Sequence, residues 1–248
     1  FNHHGFGAVP GLKDEQNKWN VKGHKNRIVK VTENELALFA QLYDAEGTPR
    51  AQARLPSLHS EELVSVLEKF ASQPRKLADL KGEYFSTVMF DETYAQKDGI
   101  IRRETRFPDG PEQWILSGPH FFVGTPFFQT PKAVCKTHRA YDRLDLTALP
   151  DDYLPRTNYV PACTPEEYRR RTPRVPWGDG QLVTEFYRDV NRRMFGASAE
   201  RSLIATIVPK NTGHIHPVLS ITFCDYASLL FFNSLCLSVV YDFFLKTT

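Results

Sequence analysis

The chain has 248 residues, 41% of them apolar and 24% charged, with a formal net charge of +2. That is enough to bury a substantial core, as one large domain or two smaller ones, and is ordinary for a globular protein. A charge this near balance excludes recognising a nucleic-acid binder from composition alone, so local distribution must carry any such reading.

In chain order, residues 1–24 are rich in Gly, Asn, His and Lys without periodicity and read as an irregular arm. No charged-then-apolar leader opens them, so no export signal is expected. A short strand is expected over 27–31. Thr32 and Glu35 form a capping box, each side chain satisfying a free amide at a helix start. That helix presents Leu36, Phe39, Ala40 and Tyr43 on one face and ends before Gly47. A second helix begins at Ser60, with Glu61 and Glu62 at its positive end and a stripe of Leu63, Val64, Leu67, Phe70 and Ala71.

From 86 to 123 the pattern turns to strands, at 86–90, 100–107 and 113–116. Asp98-Gly99 and Pro108-Asp109-Gly110-Pro111 separate them as turns. Residues 118–131 are aromatic and threaded with Gly and Pro, which suggests packed loops. Pro150, Pro155, Pro161 and Pro165 make 145–165 an extended strap. Thr164 caps a short helix with Pro165 at its first position. A further helix is expected over 182–195, ending at Gly196. On it Arg188, Arg192 and Arg193 face away from Phe186, Val190 and Met194.

Residues 200–223 read as two paired strands, 202–208 and 218–223, the second alternating outward Ser220 and Thr222 with apolar neighbours. The turn between them presents Lys210, Asn211, His214 and His216, a set of polar donors suited to something anionic. Residues 226–245 are nearly continuously apolar. Asn233 and Asp242 interrupt them and no basic flank follows, so a helix buried in a protein core is expected rather than a membrane span.

The densest basic run is Arg169, Arg170, Arg171 and Arg174. Guanidinium forks there would grip phosphates in a salt-dependent way; a solvated helix end would look the same. Arg188 and Arg192 are like charges one helical turn apart, which calls for an anionic partner or merely tolerates solvent. Lys210, His214 and His216 would reach base edges or phosphates. His214 and His216 as metal ligands lack a third partner. Trp114, His120, Phe121, Phe122, Phe127 and Phe128 would either stack on an extruded base or fill a core. Asp79-Leu80-Lys81 resembles a nuclease metal site without its second acid, and no Gly-x-Ser-x-Gly elbow occurs. Cys135, Cys163, Cys224 and Cys236 are widely spaced, which suggests reduced thiols in a cytoplasmic protein.

A family resemblance rests on longer strings. These are ERSLIATIVPKNTGHIHPVLSITF (200–223), WILSGPHF (114–121), LPDDYLPRTNYVP (149–161) and LPSLHS (55–60). Over about residues 30–248 the text resembles the region around the start of the target-recognition unit in large bacterial adenine-N6 DNA methyltransferases, including fused type II restriction–modification enzymes. The catalytic motif of that family, Asn/Asp/Ser-Pro-Pro-Tyr/Phe, is missing, for no Pro-Pro dipeptide occurs. A glycine-rich turn for the methyl donor is missing too, His4-Gly5-Phe6-Gly7 being the nearest string.

The resemblance implies a non-catalytic segment that continues beyond Thr248 in a larger enzyme. The expected fold is α+β, mixed helices with antiparallel sheet and a C-terminal part like a target-recognition domain. Its organisation would be an arm (1–29), a connecting or scaffold region (30–160) and the start of a recognition region (161–248). The implied partners are double-stranded DNA and the rest of the parent, without a membrane, and S-adenosylmethionine would bind in the parent but not in this segment. Arg169, Arg170, Arg171, Arg174, Arg188, Arg192, Arg193, Arg201, Lys210, His214 and His216 are the DNA-contact candidates. The competing expectation is a protein–protein scaffold in a phage-defence assembly, supported by the Pro-rich strap and the aromatics.

Overall fold

The structure is a computed structural model that describes residues 28–194, 196 and 199–247, with Gln16 and Lys18. The expected arm and its glycines lie almost wholly outside these residues. The architecture is α+β, and it divides into two compact units, Phe1–Lys76 with Phe243–Thr248, and Leu77–Asp242.

In the first unit, α1 (Glu33–Tyr43) starts at the Thr32–Glu35 capping box, and α2 (Glu62–Ala71) packs beside it. Their apolar stripes bury Phe39 and Leu67, each contributing about 1.5–3 kcal/mol. Phe244 stacks on Phe70 at 4.6 Å and on Tyr43 at 5.4 Å between ring centroids. No strand forms over residues 28–31, and Ile28 is exposed: no ladder partner pairs with this segment among the described residues.

The second unit is organised by a four-stranded antiparallel sheet. Its strands are β1 (Tyr84–Thr87), β7 (Arg188–Arg192), β8 (Ala205–Val208) and β10 (Val218–Phe223), in the order β1-β10-β7-β8. Smaller pairings surround it. β2 (Ile101–Arg106) pairs with β6 (Thr157–Pro161), and β4 (Gln129–Pro131) with β5 (Tyr141–Arg143). β3 (Ile115–Leu116) runs parallel to β9 (Gly213–His214).

One face of the main sheet packs on α5 (Tyr226–Leu237) through Ile221, Phe223 and Leu229. The other face is covered by a loop layer in which Trp114, Leu116 and Phe121 meet Val190, Val208 and Val218. A second cluster gathers Phe90, Ile101, Ile115, Val183 and Tyr168, the last from α4 (Pro165–Arg171).

Four expectations are corrected. Residues 182–195 do not form a helix; a 3-10 turn at Val183–Glu185 leads into β7, which lies between β10 and β8. Its flanking apolar residues mimic helical spacing, but two neighbouring ladders satisfy its backbone, and tertiary pairing overrides local pattern. Consequently β8 and β10 are not paired with each other, because β7 separates them. Ser220 and Thr222 point inward, both buried under covering layers. The apolar run 226–245 is broken at Ser238 into α5 and α6 (Val239–Thr247). Among the described residues no single helix is long and apolar enough to cross a membrane.

The strand expected at 86–90 is β1, shifted toward the N-terminus, and a short helix, α3 (Glu92–Lys97), follows it. Asp91 caps α3 by accepting the Thr93 and Tyr94 amides, at 2.9 and 3.1 Å.

Candidate nucleic-acid interface

α4 is set by its first residues. Thr164 accepts the Glu167 amide, Pro165 occupies the first position, and Tyr168 drops into the core against Phe90 at 5.3 Å. That anchoring turns Arg169, Arg170 and Arg171 outward, all exposed. Arg170 donates to both Glu167 carboxylate oxygens, at 2.6 and 2.8 Å, and Arg171 to one at 2.9 Å. Arg170 first, then Arg171, holds the Glu167 carboxyl down to about 2. Arg171 also approaches Asp98 at 3.8 Å. Arg169 has no partner among the described residues. Pairs this exposed are screened by solvent and add little to stability, so a phosphate displaces them at small cost.

The remaining candidates separate into surface and interior. Arg174 is exposed and donates to the Gly180 carbonyl. Lys210 is exposed with its Nζ 5.4 Å from the Tyr187 ring centroid. Arg193 donates to His216 Nε2 at 2.6 Å, which makes that nitrogen the acceptor and places the His216 proton on Nδ1. The strand register puts these groups apart. Arg188 is opposite Val208, so Lys210 lies beyond one end of β7, whereas Arg193 and His216 flank the other end. About 14 Å of strand lies between them. The exposed candidates therefore fall into separate places: the α4 end, the 209–213 turn and the 193/216 corner.

Arg188, His214, Arg192 and Arg201 are withdrawn from the surface. Arg188 and His214 are fully buried. His214 Nε2 and the Ser220 hydroxyl are hydrogen-bonded at 2.8 Å, and burial, then the Arg188 charge, lowers the imidazole to about 3. Arg192 is half-buried, donating to the Phe121 carbonyl with its guanidinium 5.5 Å from that ring.

Arg201 instead holds two elements of its own unit together. Its Nη2 donates to the Leu237 carbonyl at 3.0 Å and approaches those of Cys236 and Ser238, so it caps the negative end of α5. Its Nε lies 3.6 Å from Asp242 Oδ1, a charge contact too long for a hydrogen bond. Asp242 in turn accepts the Ser202 and Leu203 amides, each at 2.7 Å.

Two polar constellations have no counterpart in the motif reading. Asp189 is fully buried on the α5 side of β7 and accepts from Asn233 Nδ2 at 2.5 Å and from Asn191 Nδ2. Burial raises its carboxyl to about 7, against those two hydrogen bonds. On the opposite layer Ser117, His120, Tyr141 and Asn158 form a chain. The Ser117 amide donates to His120 Nδ1 at 3.0 Å, so Nε2 carries the proton and donates to the Arg156 carbonyl at 2.8 Å. Ser117 Oγ lies 3.0 Å from the same Nδ1 and 2.8 Å from the Tyr141 hydroxyl. A serine beside a neutral imidazole is the contact of a nucleophile and its base. Here the imidazole is fully enclosed and lowered by burial to about 4, which makes the chain a packing lock closed to substrate. Trp114 and Phe121 are likewise buried, in the core rather than on a stacking surface.

The three connections leading from a strand into a helix, residues 88–91, 162–164 and 224–225, contain no glycine. No group of three or more His, Cys, Asp or Glu among the described residues is placed to hold a metal. Comparison with known proteins found no matching family profile, no matching curated protein and no matching solved structure.

Proposed function

We propose that this chain is a DNA-binding, target-recognition segment of a site-specific adenine-N6 DNA methyltransferase or restriction–modification enzyme working in the cytoplasm. The methyl donor and the catalytic turn would belong to the rest of that enzyme. The reading is carried by one observation, the outward arginine run of α4, fixed by a buried Tyr168 and beginning with Arg169, whose guanidinium has no partner among the described residues. Phosphate contacts would fall to Arg169, Arg170, Arg171, Arg174, Arg193, Lys210 and His216, the candidates that reach the surface.

The test is duplex binding followed by fluorescence anisotropy across a salt series. Three phosphate contacts predict a log–log slope steeper by about 2.7 than in the triple variant Arg169→Ala/Arg170→Ala/Arg171→Ala. Equal affinity and equal slope in the two proteins would remove α4 from the interface.

A second reading, a scaffold contacting other proteins, is favoured by a different surface. Tyr226, Leu230, Phe231, Leu235, Val239 and Val240 are all exposed within a stretch that carries no charge from 226 to 241. Such a patch marks an interaction site more often than an idle surface. Binding through it would be nearly insensitive to salt, which separates the two readings in the same titration.

A further inference from the structure

Arg188 combines full burial, a guanidinium and no bonded carboxylate among the described residues. A buried cation of this kind is costly, so its contacts must be made deliberately. Its Nη2 donates to the Thr212 carbonyl and, at 2.9 Å, to the Thr212 hydroxyl. Its Nη1 donates to Met89 Sδ at 3.3 Å, and Nε has no partner among the described residues. Around it lie Tyr168, Thr212, Met89 and His214, none of them anionic: the Tyr168 hydroxyl is buried and raised by that burial, and His214 is held neutral. Asp189 projects from the other face of the same strand.

Of the three side-chain hydrogen bonds of Arg188, the two to oxygen go to one residue of the 209–213 turn. The other ties of that turn are equally specific. The Asn211 amide donates to the Thr184 carbonyl at 2.6 Å, the Thr212 hydroxyl to the Pro209 carbonyl at 3.0 Å, and the Gly213 amide to the Trp114 carbonyl at 2.9 Å. Asn211 adopts a left-handed conformation with φ 67°, one that a short polar side chain tolerates. Between these ties stands Lys210, exposed over Tyr187.

We infer that Arg188 is a positioning residue: from inside the sheet it clamps Thr212 and so holds the 209–213 turn in the one conformation that presents Lys210 to a nucleic-acid phosphate. This rests on the DNA-binding reading above. A turn held rigid loses little freedom on binding, so a lysine on it binds phosphate more tightly than the same lysine on a loose loop. The uncompensated charge of Arg188 adds a positive field at that end of the sheet.

The experiment compares wild type, Lys210→Ala, Arg188→Met, Thr212→Val and the double variant Arg188→Met/Lys210→Ala. Their melting curves are recorded first. Met removes a buried charge while keeping an unbranched apolar stem; Val removes only the hydroxyl acceptor and leaves every charge in place. Amide exchange at Asn211 and Gly213 reads the turn, and a short DNA duplex at low salt is the binding probe. Lys210→Ala weakens binding by about 3–10-fold and lowers the salt slope by about 1. Arg188→Met and Thr212→Val each speed exchange at both amides by about tenfold and weaken binding. In the double variant Lys210→Ala adds little, since the two residues act as a unit.

Exchange and affinity unchanged in Arg188→Met and Thr212→Val, with wild type still binding, overturn the clamp and leave the DNA reading standing. Additive losses in the double variant also overturn it, assigning Arg188 a field effect alone. A wild-type chain without salt-dependent duplex binding overturns the DNA reading and the role of the turn together.

Discussion

Asp189→Asn is expected to stabilise the protein at neutral and alkaline pH and to change the shape of its pH–stability curve. The carboxyl is fully enclosed beneath α5, has no cationic partner among the described residues, and is raised to about 7 by burial. A carboxyl whose folded value exceeds its unfolded value contributes stability that is fully present below about 4 and lost as pH rises through about 7. Above pH 7 the folded state therefore carries an unfavourable carboxylate, at a cost on the order of 3–4 kcal/mol, which an isosteric amide removes once Asn191 flips to turn its Oδ1, unpartnered among the described residues, toward the new NH2.

The acid side gives the sharper test. His120 and His214 are lowered to about 4 and about 3, so the stability from their enclosure is complete above pH 6.5 and is lost as pH falls through those values. Between pH 6.5 and 4 these two sites bind protons in the unfolded chain and Asp189 binds one in the folded chain, leaving about one proton of net uptake on unfolding. The stability of the wild type should fall by about 1.4 kcal/mol for each pH unit, and that of Asp189→Asn by about twice as much. Urea midpoints measured from pH 8 to 4 check this. A variant no more stable at pH 8, with a slope equal to wild type, would mean that Asp189 is ionised without penalty.

The largest loss is expected at the other end of α5. Asp242→Ala strips the acceptor from two backbone amides at 2.7 Å and leaves Arg201 without its nearby carboxylate, in a place where Asp242 is 3% exposed. Removing one partner of such a buried polar arrangement costs about 3–5 kcal/mol. Arg201→Ala loses the carbonyl cap on Leu237 and its neighbours and should cost less, about 1–3 kcal/mol. Because both act on one arrangement, the double variant should fall short of the sum. Denaturant titration of the three variants measures the coupling, and strict additivity would mean the two residues act separately. Arg201 belongs to this internal arrangement and is absent from the proposed phosphate contacts for that reason.

How far these elements were legible depends on where the determining physics lies. Helix starts are written locally, and Thr32, Thr164 and Asp91 cap their helices with side chains a few residues away. Only the last escaped notice, its helix being too short to show periodicity. β7 was illegible for the converse reason. Its sequence, RDVNR, carries no strand signature; its conformation comes from partners some fifteen to thirty residues downstream, and its charges are absorbed on opposite faces. The same absorption removed Arg188 and Arg192 from the expected binding surface. One cue was present: Asn233 and Asp242 interrupt an apolar run, and a polar residue there is retained when something buried needs it. Asn233 answers to Asp189, and Asp242 to the amides of Ser202 and Leu203.

The strand order β1-β10-β7-β8 bears on how the chain reaches this state. Tyr84 pairs with Phe223, so more than half of the chain intervenes between β1 and its neighbour in the sheet, β10. During synthesis β1 emerges long before anything exists to cover it. Closing so wide a loop is entropically unfavourable until the last strand is available, so the β1–β10 pairing is expected to form late in folding. Until then the unpaired edge of β1 is open to the wrong strand, and a nascent chain would rely on chaperones to keep it free.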